Sequence, residues 1–347
     1  MIRPVSIAAS ITLSLAAGLG ALPVQAQTPE APPAAIDAPR AILPPEIAEL
    51  RRQDERVLQL GYRLVTGNAR FCADRTHTAG LLLHDMGAYG EGEALRGLLG
   101  LTGDIGVQAL VPDGPAARAG LQVDDTVLAV GDLVIADIPT EKSKSWERIE
   151  TIRAKTESLL AQTGTLPITV RRADKPVTLT ITGEPACRSR FEIGEGGRAV
   201  ADGHRVVIGP EFAGIDYSDP LLAAVLGHEF AHNILRHREW FDANGGRKQN
   251  TVRLTEREAD RLMPWLLANA GFDPVAGAHF FERWGPRHGG WIFRARSHDG
   301  WDERAEFILA EIPLIEAQLA QGDGADWADW ATGFRREELP GKDLAGR

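Results

Sequence analysis

The chain has 347 residues, of which 44% are hydrophobic and 25% are charged, so it is neither intrinsically disordered nor a collagen or coiled-coil array. Its 38 Lys and Arg against 48 Asp and Glu leave a net charge of −10, which disfavours nucleic acid as a partner. With only Cys72 and Cys187, it is neither a disulfide-dense miniprotein nor a Cys-rich zinc module. We expect a globular protein with room for two domains.

Residues 1–26 have the order of an exported leader, with one basic residue, an apolar stretch, and small residues before a cleavage point after Ala26. The alternative is a membrane anchor, but Ser and Thr interrupt the apolar run, which ends near Leu22 and is short for a bilayer span. No later stretch approaches the ~20 apolar residues that a span needs. We therefore predict a mature protein without a transmembrane segment, located in the periplasm or secreted.

Three segments follow the leader. The prolines of residues 27–45 predict an extended linker, because proline can neither continue a helix nor donate a ladder hydrogen bond. Residues 46–76 show a helical period that ends near Gly67, and we expect this helix to pack on the C-terminal domain. Residues 77–184 combine short apolar runs, many glycines and one amphipathic helix over 146–162, which predicts a small β-rich domain.

The segment LLAAVLGHEFAHNILRH carries the most informative motif of the chain. We expect Asp219 to cap a helix that meets no breaker until Asn244. On a helix, His228 and His232 lie one turn apart on one face, where a tetrahedral zinc ion can take a nitrogen from each. Glu229 can then reach a water molecule without being a ligand, as a general base must.

The segment LTEREADRL offers a third ligand, because Glu256 and Asp260 lie four residues apart on a second predicted helix. Two histidines and a glutamate leave one coordination position for water, which is typical of catalytic zinc, whereas structural sites usually have four protein ligands. Asp260 can orient a ligand histidine by accepting a hydrogen bond from its distal nitrogen. The alternative is that Glu256, Glu258 and Asp260 form a solvated acidic face. Pro264 should kink or end this helix soon afterwards.

The motifs GHEFAHNILRH and EREAD resemble the gluzincin metallopeptidases of family M forty-eight, the family of HtpX, BepA and the CAAX prenyl endopeptidases. The resemblance covers about residues 197–319 and implies one Zn²⁺ per chain in a metallopeptidase domain at 187–337. That domain would be mainly helical with a small β-sheet. The roles that the resemblance implies are metal binding by His228, His232 and Glu256, general-base catalysis by Glu229, and support of a ligand by Asp260.

Two further features follow from the same resemblance. The segment SHDGWDERAEFI looks like the family's late histidine and arginine, which would be His298 and Arg304 in the substrate cleft. The alternative for these two residues is a helix cap and a surface salt bridge. Upstream, GRAVADGHRVVIGPEF predicts a hairpin, whose edge strand would pair with the main chain of an extended substrate.

The run GDIGVQALVPDGPAARAGLQVDDTVLAVGD resembles a bacterial PDZ domain. Such a domain binds a C-terminal or extended peptide by adding it to a sheet edge beside a helix. The resemblance implies that Gly80, Leu81 and Leu82 form this edge, although the leucines could simply belong to the core. Cys72 and Cys187 bracket the domain and could form a disulfide in an oxidising compartment. Two unpaired buried thiols are the alternative.

Together these patterns predict an α+β protein in which a β-rich PDZ domain is inserted ahead of a zincin-type peptidase domain. The function that they favour is an exported zinc metalloendopeptidase that hydrolyses unfolded or misassembled envelope proteins, with the PDZ domain recruiting or gating substrate. The alternative is an assembly factor or chaperone-like binding protein with little routine proteolysis. A structural zinc protein is a third, weaker reading.

Overall fold

The computed structural model describes residues 42–139, 145–288, 299–322, 324–329 and 333–342. The predicted leader, residues 27–41 of the predicted linker, and His298 lie outside these residues. The first half of the described chain contains α1 (Pro45–Gly67), β1 (Arg75–Thr78), β2 (Leu81–Asp85), α2 (Gly92–Leu98), β3 (Ile105–Leu110), α3 (Pro115–Arg118), β4 (Thr126–Val130), β5 (Leu133–Val134), α4 (Ser145–Thr163), β6 (Thr165–Arg172), β7 (Lys175–Thr182) and β8 (Glu184–Cys187). The second half contains β9 (Arg190–Ile193), β10 (Ala199–Ala201), β11 (Arg205–Ile208), α5 (Asp219–Ile234), α6 (His237–Ala243), α7 (Gln249–Asn269), α8 (Ala276–His288) and α9 (Trp301–Leu319).

An antiparallel sheet organises the segment between β2 and β7. Its strand order is β2-β3-β4-β6-β7, with β5 paired to β4, so β2 is an edge strand. Alternation along β6 buries Leu166, Ile168 and Val170 on one face, as expected for a strand covered on one side. The helix α4 packs against β2 and β6 and contributes Ile152 and Leu160 to the same core. This β-rich segment therefore has a hydrophobic core of its own.

The C-terminal half is mainly helical, and α5 lies at its centre. Five consecutive apolar residues of α5, Leu222 to Leu226, are buried, because α7 and α8 pack on this helix and α1 also contacts it. A three-stranded sheet of order β10-β11-β9 contacts α5 through β10 and β11. The combination of the two halves makes the described chain an α+β structure. Within the described residues, each helix is either too short or too polar to span a bilayer.

The connection between the two halves is a two-stranded antiparallel stem of β1 and β8. A disulfide joins Cys72 to Cys187 at the base of this stem, with their Cα atoms 5.5 Å apart. The predicted pairing of the two cysteines is therefore confirmed. The helix α1 ends at Gly67 as predicted, and it buries Val57, Leu60 and Leu64 in the core of the helical half.

Three expectations about the helices need correction. Ser218 occupies the cap position of α5 and Asp219 is its first residue. The helix does not run on to Asn244, because Arg236 adopts a left-handed conformation with φ of 56° and a new helix starts at His237. Pro264 does not end α7, which continues to Asn269. The residues after Pro264 are buried in the core, and this packing compensates for the backbone hydrogen bond that a proline removes.

Candidate metal centre

The three predicted ligand residues converge where α5 packs against α7. The Nε2 atoms of His228 and His232 lie 3.3 Å apart. Glu256 points one carboxylate oxygen at each of them, at 3.3 Å from His228 Nε2 and 3.4 Å from His232 Nε2. Among the described residues, these three form the group of His, Cys, Asp and Glu side chains arranged to hold a metal ion.

Zinc binding requires a defined spacing between the donor atoms. A tetrahedral ion with ligand bonds of about 2.0–2.1 Å needs its donor atoms about 3.3–3.4 Å from one another. The two imidazole nitrogens meet this requirement at 3.3 Å, and the Glu256 carboxylate places Oε2 at 3.3 Å from His228 Nε2 and Oε1 at 3.4 Å from His232 Nε2. Imidazole nitrogen and carboxylate oxygen are also ligand types that zinc accepts. The residues present therefore fit a zinc ion, with Glu229 left outside the ligand set.

Asp260 supports the first histidine from one turn further along α7. Its Oδ1 lies 3.0 Å from His228 Nδ1, although the N–H direction is poorly aligned for a hydrogen bond. Arg304 of α9 donates two hydrogen bonds to Asp260, at 2.6 and 2.7 Å. Asp260 is 1% exposed and Glu258 is 0% exposed. The alternative of a solvated acidic face on α7 is therefore wrong for these two residues.

Arg304 is neither a helix cap nor part of a surface salt bridge. Its side chain is only 12% exposed, and its guanidinium lies 4.1 Å from the centre of the Phe281 ring. It also approaches Glu256 at 3.6 Å. Arg304 thus helps to hold the carboxylates of Asp260 and Glu256 in place at the metal centre. His298, which we expected in the substrate cleft with Arg304, lies outside the described residues.

The charges at this centre favour a bound cation. Burial lowers the pKa of His228, but the carboxylates of Asp260 and Glu256 outweigh burial and raise this pKa to about 10. Burial likewise raises the pKa of Asp260, and Arg304 and His228 more than compensate, so the Asp260 carboxyl stays ionised. A site whose carboxylates hold a proton on a buried histidine offers the same attraction to a metal ion.

His237 and Glu258 belong to this centre although sequence reasoning missed them. The Nδ1 atoms of His232 and His237 are 2.7 Å apart, and His237 Nε2 lies 2.9 Å from Glu258 Oε2. Burial lowers the pKa of His237 to about 4, so its imidazole is neutral at pH 7. Burial raises the pKa of Glu258, but His237 and Arg336 outweigh it and lower this pKa to about 2. The available signal was a third histidine in the same motif, five residues after His232.

The predicted peptide-binding residues lie at a second place in the fold. Gly80 precedes β2, and Leu81 and Leu82 are the first residues of this edge strand. Together with α4 they line a cavity of about 560 Å³, within the range of about 300–1,000 Å³ that is usual for ligand sites. Leu81 and Leu82 are half-buried. Both line the cavity, and Leu81 also packs against the core of the β-rich segment.

No protein-family model matches the sequence, and no curated protein sequence matches it. The HtrA-type protease AlgW with decapeptide is 24% identical over 32% of this chain and 30% of its own, with a TM-score of 0.22. The HtrA3 PDZ domain bound to a phage-derived ligand (FGRWV) is 18% identical over 32% of this chain and 88% of its own, also with a TM-score of 0.22. At such TM-scores, neither likeness bears on the fold or function of this chain.

Proposed function

We propose that the protein is a zinc-dependent endopeptidase of the gluzincin type. The observation that carries this proposal is the meeting of His228, His232 and Glu256. The two histidine Nε2 atoms lie 3.3 Å apart, and each lies 3.3–3.4 Å from one oxygen of the Glu256 carboxylate. Three protein donors leave one position of a tetrahedral ion open, which is the arrangement of catalytic rather than structural zinc. A zinc ion held by these three residues would supply Lewis-acid chemistry, which polarises a peptide carbonyl and lowers the pKa of a water molecule.

Glu229 is the residue to which we assign proton transfer. It follows His228 directly on α5, is half-buried, and lies close enough to Arg304 for their charges to interact. Its carboxylate would accept a proton from the attacking water and pass it to the leaving amide nitrogen. A protein that only binds peptides has no need of a carboxylate at this position.

We propose that an extended main chain binds beside the metal centre along β10. This strand is at the edge of its sheet, contacts α5, and leaves the side chain of Val200 44% exposed. A substrate segment that adds to this edge gains backbone hydrogen bonds without a sequence requirement. We therefore assign extended segments of unfolded polypeptides as the substrate class.

The inserted β-rich segment acts in this proposal as a PDZ domain. Its edge strand β2 lies beside α4, and the cavity between them could hold a C-terminal or extended peptide that recruits or gates substrate. The Cys72–Cys187 disulfide favours an oxidising location, so we propose export and envelope proteins as clients. The cavity alone would equally suit an assembly factor that holds clients without cleaving them, which is the second candidate function.

The two candidate functions are separated by the variant Glu229→Gln. We expect it to keep wild-type zinc content and to cleave casein about 10²–10⁴-fold more slowly, since it loses only the general base. Glu256→Ala should lose both zinc and activity, because it removes a ligand. Glu282→Gln, at an exposed position of α8, is the matched control and should behave as wild type. Zinc-loaded wild type that leaves casein intact would favour the binding protein.

A further inference from the structure

A buried series of side-chain contacts leads from the second ligand histidine to the C-terminal segment 333–342. His232 contacts His237, His237 contacts Glu258, and Glu258 receives hydrogen bonds from Arg336 Nε and from the backbone N–H of Glu337 at 3.1 Å. His237 is 1% exposed and Glu258 is 0% exposed. No step of the proposed proton transfer uses these groups.

The donors and acceptors in this series of contacts allow one consistent placement of the ring protons when His232 binds metal. A metal ion on His232 Nε2 leaves the proton of this ring on Nδ1, which then donates to His237 Nδ1. His237 Nδ1 must therefore be the acceptor nitrogen, and its Nε2–H donates to the Glu258 carboxylate. The arrangement orients the lone pair of His232 Nε2 toward His228 and Glu256, at the distances given above.

The break between α5 and α6 makes this contact available. On one continuous helix, residues five apart point in directions that differ by about 140° around the helix axis, so they do not lie on one face. The left-handed Arg236, with φ of 56°, turns the chain so that His237 begins α6 with its ring against His232. A non-glycine residue in this conformation costs about 1 kcal/mol or more, so the surrounding contacts must hold it there.

We propose that His237 and Glu258 are positioning residues for the metal ligand His232, and that Arg336 and Glu337 complete their support from the C-terminal segment. The inference rests on the proposed metal site but not on the cleavage that we propose there. It parallels the support of His228, where Asp260 is held by Arg304 of α9. Such supporting groups fix the tautomer and direction of a ligand and are typically worth 10–100-fold in metal affinity.

The test is zinc affinity, measured by competition with a chelator at one pH, for the purified full chain. His237→Phe keeps a ring of similar shape but removes the acceptor, and we expect 10–100-fold weaker zinc binding. His237→Asn places an amide oxygen near the position of Nδ1 and should recover most of this affinity. Glu258→Gln and Arg336→Met should weaken zinc binding by smaller factors, since they act one and two contacts further away.

A matched control is available on α9. Glu311 is 3% exposed and accepts hydrogen bonds from Arg261 and Trp265 of α7, at 2.7 and 3.0 Å, but it has no contact with the ligands. Glu311→Gln should lower the thermal midpoint without changing zinc affinity. The absorption spectrum of bound Co²⁺ is a second readout, which should change in His237→Phe and stay as wild type in Glu311→Gln.

The outcomes separate this inference from the proposed function. If wild type binds no zinc, both fail together. If wild type binds zinc and both His237→Phe and Glu258→Gln bind it equally tightly, the positioning role is overturned while the metal site stands. Should His237→Phe not fold, Glu258→Gln decides the question, because glutamine keeps the size of glutamate and removes only its charge and one acceptor oxygen.

Discussion

Asp54 is a buried carboxyl whose protonation links α1 to the β-rich segment. It is 9% exposed and accepts a hydrogen bond of 2.5 Å from Gln108 Nε2 of β3. Burial raises the pKa of Asp54 to about 7, against the opposing effect of this hydrogen bond. The other charged or titratable groups that act on Asp54 are Arg153 and Arg51, which lower its pKa, Glu192, which raises it, and Tyr89.

The raised pKa of Asp54 predicts that the contribution of this residue to the free energy of unfolding falls as pH rises. The folded state holds the Asp54 proton more tightly than the unfolded state, so its contribution is complete below about pH 4 and is lost as pH rises through about 7. We expect Asp54→Asn to flatten this decline and to be more stable than wild type at pH 8, by up to about 4 kcal/mol. Urea unfolding between pH 4 and 8 measures it, with the exposed Asp216→Asn as control. Parallel curves for wild type and Asp54→Asn would refute the assignment.

Residue-level chemistry was predictable where it depends on local helical spacing. His228 pairs with His232, and Glu256 with Asp260, because residues four apart share one face of a helix, which the sequence shows directly. The packing of α5 on α7 then brings the two pairs together. The partnership of His237 with Glu258 was not predictable in this way. It depends on the left-handed break at Arg236 and on a C-terminal segment distant in sequence, neither of which follows a periodic pattern.

Among the elements, the stem of β1 and β8 joins the β-rich segment to the helical half. The Cys72–Cys187 disulfide closes a loop with a sequence separation of 115 at this stem. Closing a loop of about a hundred residues stabilises a protein by up to about 4.7 kcal/mol in the chain-entropy model, and engineered cases usually reach less. The sequence indicated this pairing, because these are the two cysteines of the chain and they bracket one segment.

The stem predicts a clear redox dependence of stability. We expect Cys72→Ser/Cys187→Ser to unfold at a lower urea concentration than wild type, by about 2–4 kcal/mol in free energy. Added reductant should shift wild type to the same midpoint and leave the double variant unchanged, which serves as the internal control. A wild-type protein whose midpoint ignores reductant under denaturing conditions would show that the disulfide contributes nothing.

At the scale of the molecule, the cavity beside β2 is shared between the two halves. The β-rich segment contributes β2 and α4, while α1 and β9 supply the opposite walls. Arg190 of β9 bridges to Glu157 and Glu150 of α4 at 2.7 and 3.4 Å. A recruiting domain that works independently would present its groove to solvent. Here a peptide that adds to β2 would have to enter a gap that these ion pairs span.

The role of the inserted segment cannot be tested cleanly by deleting it. The helix α1 contacts β2 and β3 as well as α5 and α7, so excision of residues 77–184 would uncover part of α1 and destabilise the helical half. Single substitutions at the cavity avoid this difficulty. Arg190 is the natural choice, because its side chain is 29% exposed and can be shortened without opening either core.

We predict that Arg190→Ala binds unfolded polypeptide more tightly than wild type. Partly exposed ion pairs are worth about 0.2–1 kcal/mol each, so removing the two that join Arg190 to α4 should strengthen binding about 2- to 30-fold. The measurement is anisotropy of fluorescein-labelled casein in a Glu229→Gln background, where the proposed cleavage cannot interfere. Arg188→Ala is the matched control, because Arg188 also lines the cavity but pairs with Asp74 beside the stem and not with α4. Equal affinities for both variants and their parent would show that the ion pairs do not restrict access, and weaker binding by Arg190→Ala alone would mean that its guanidinium contacts the peptide instead.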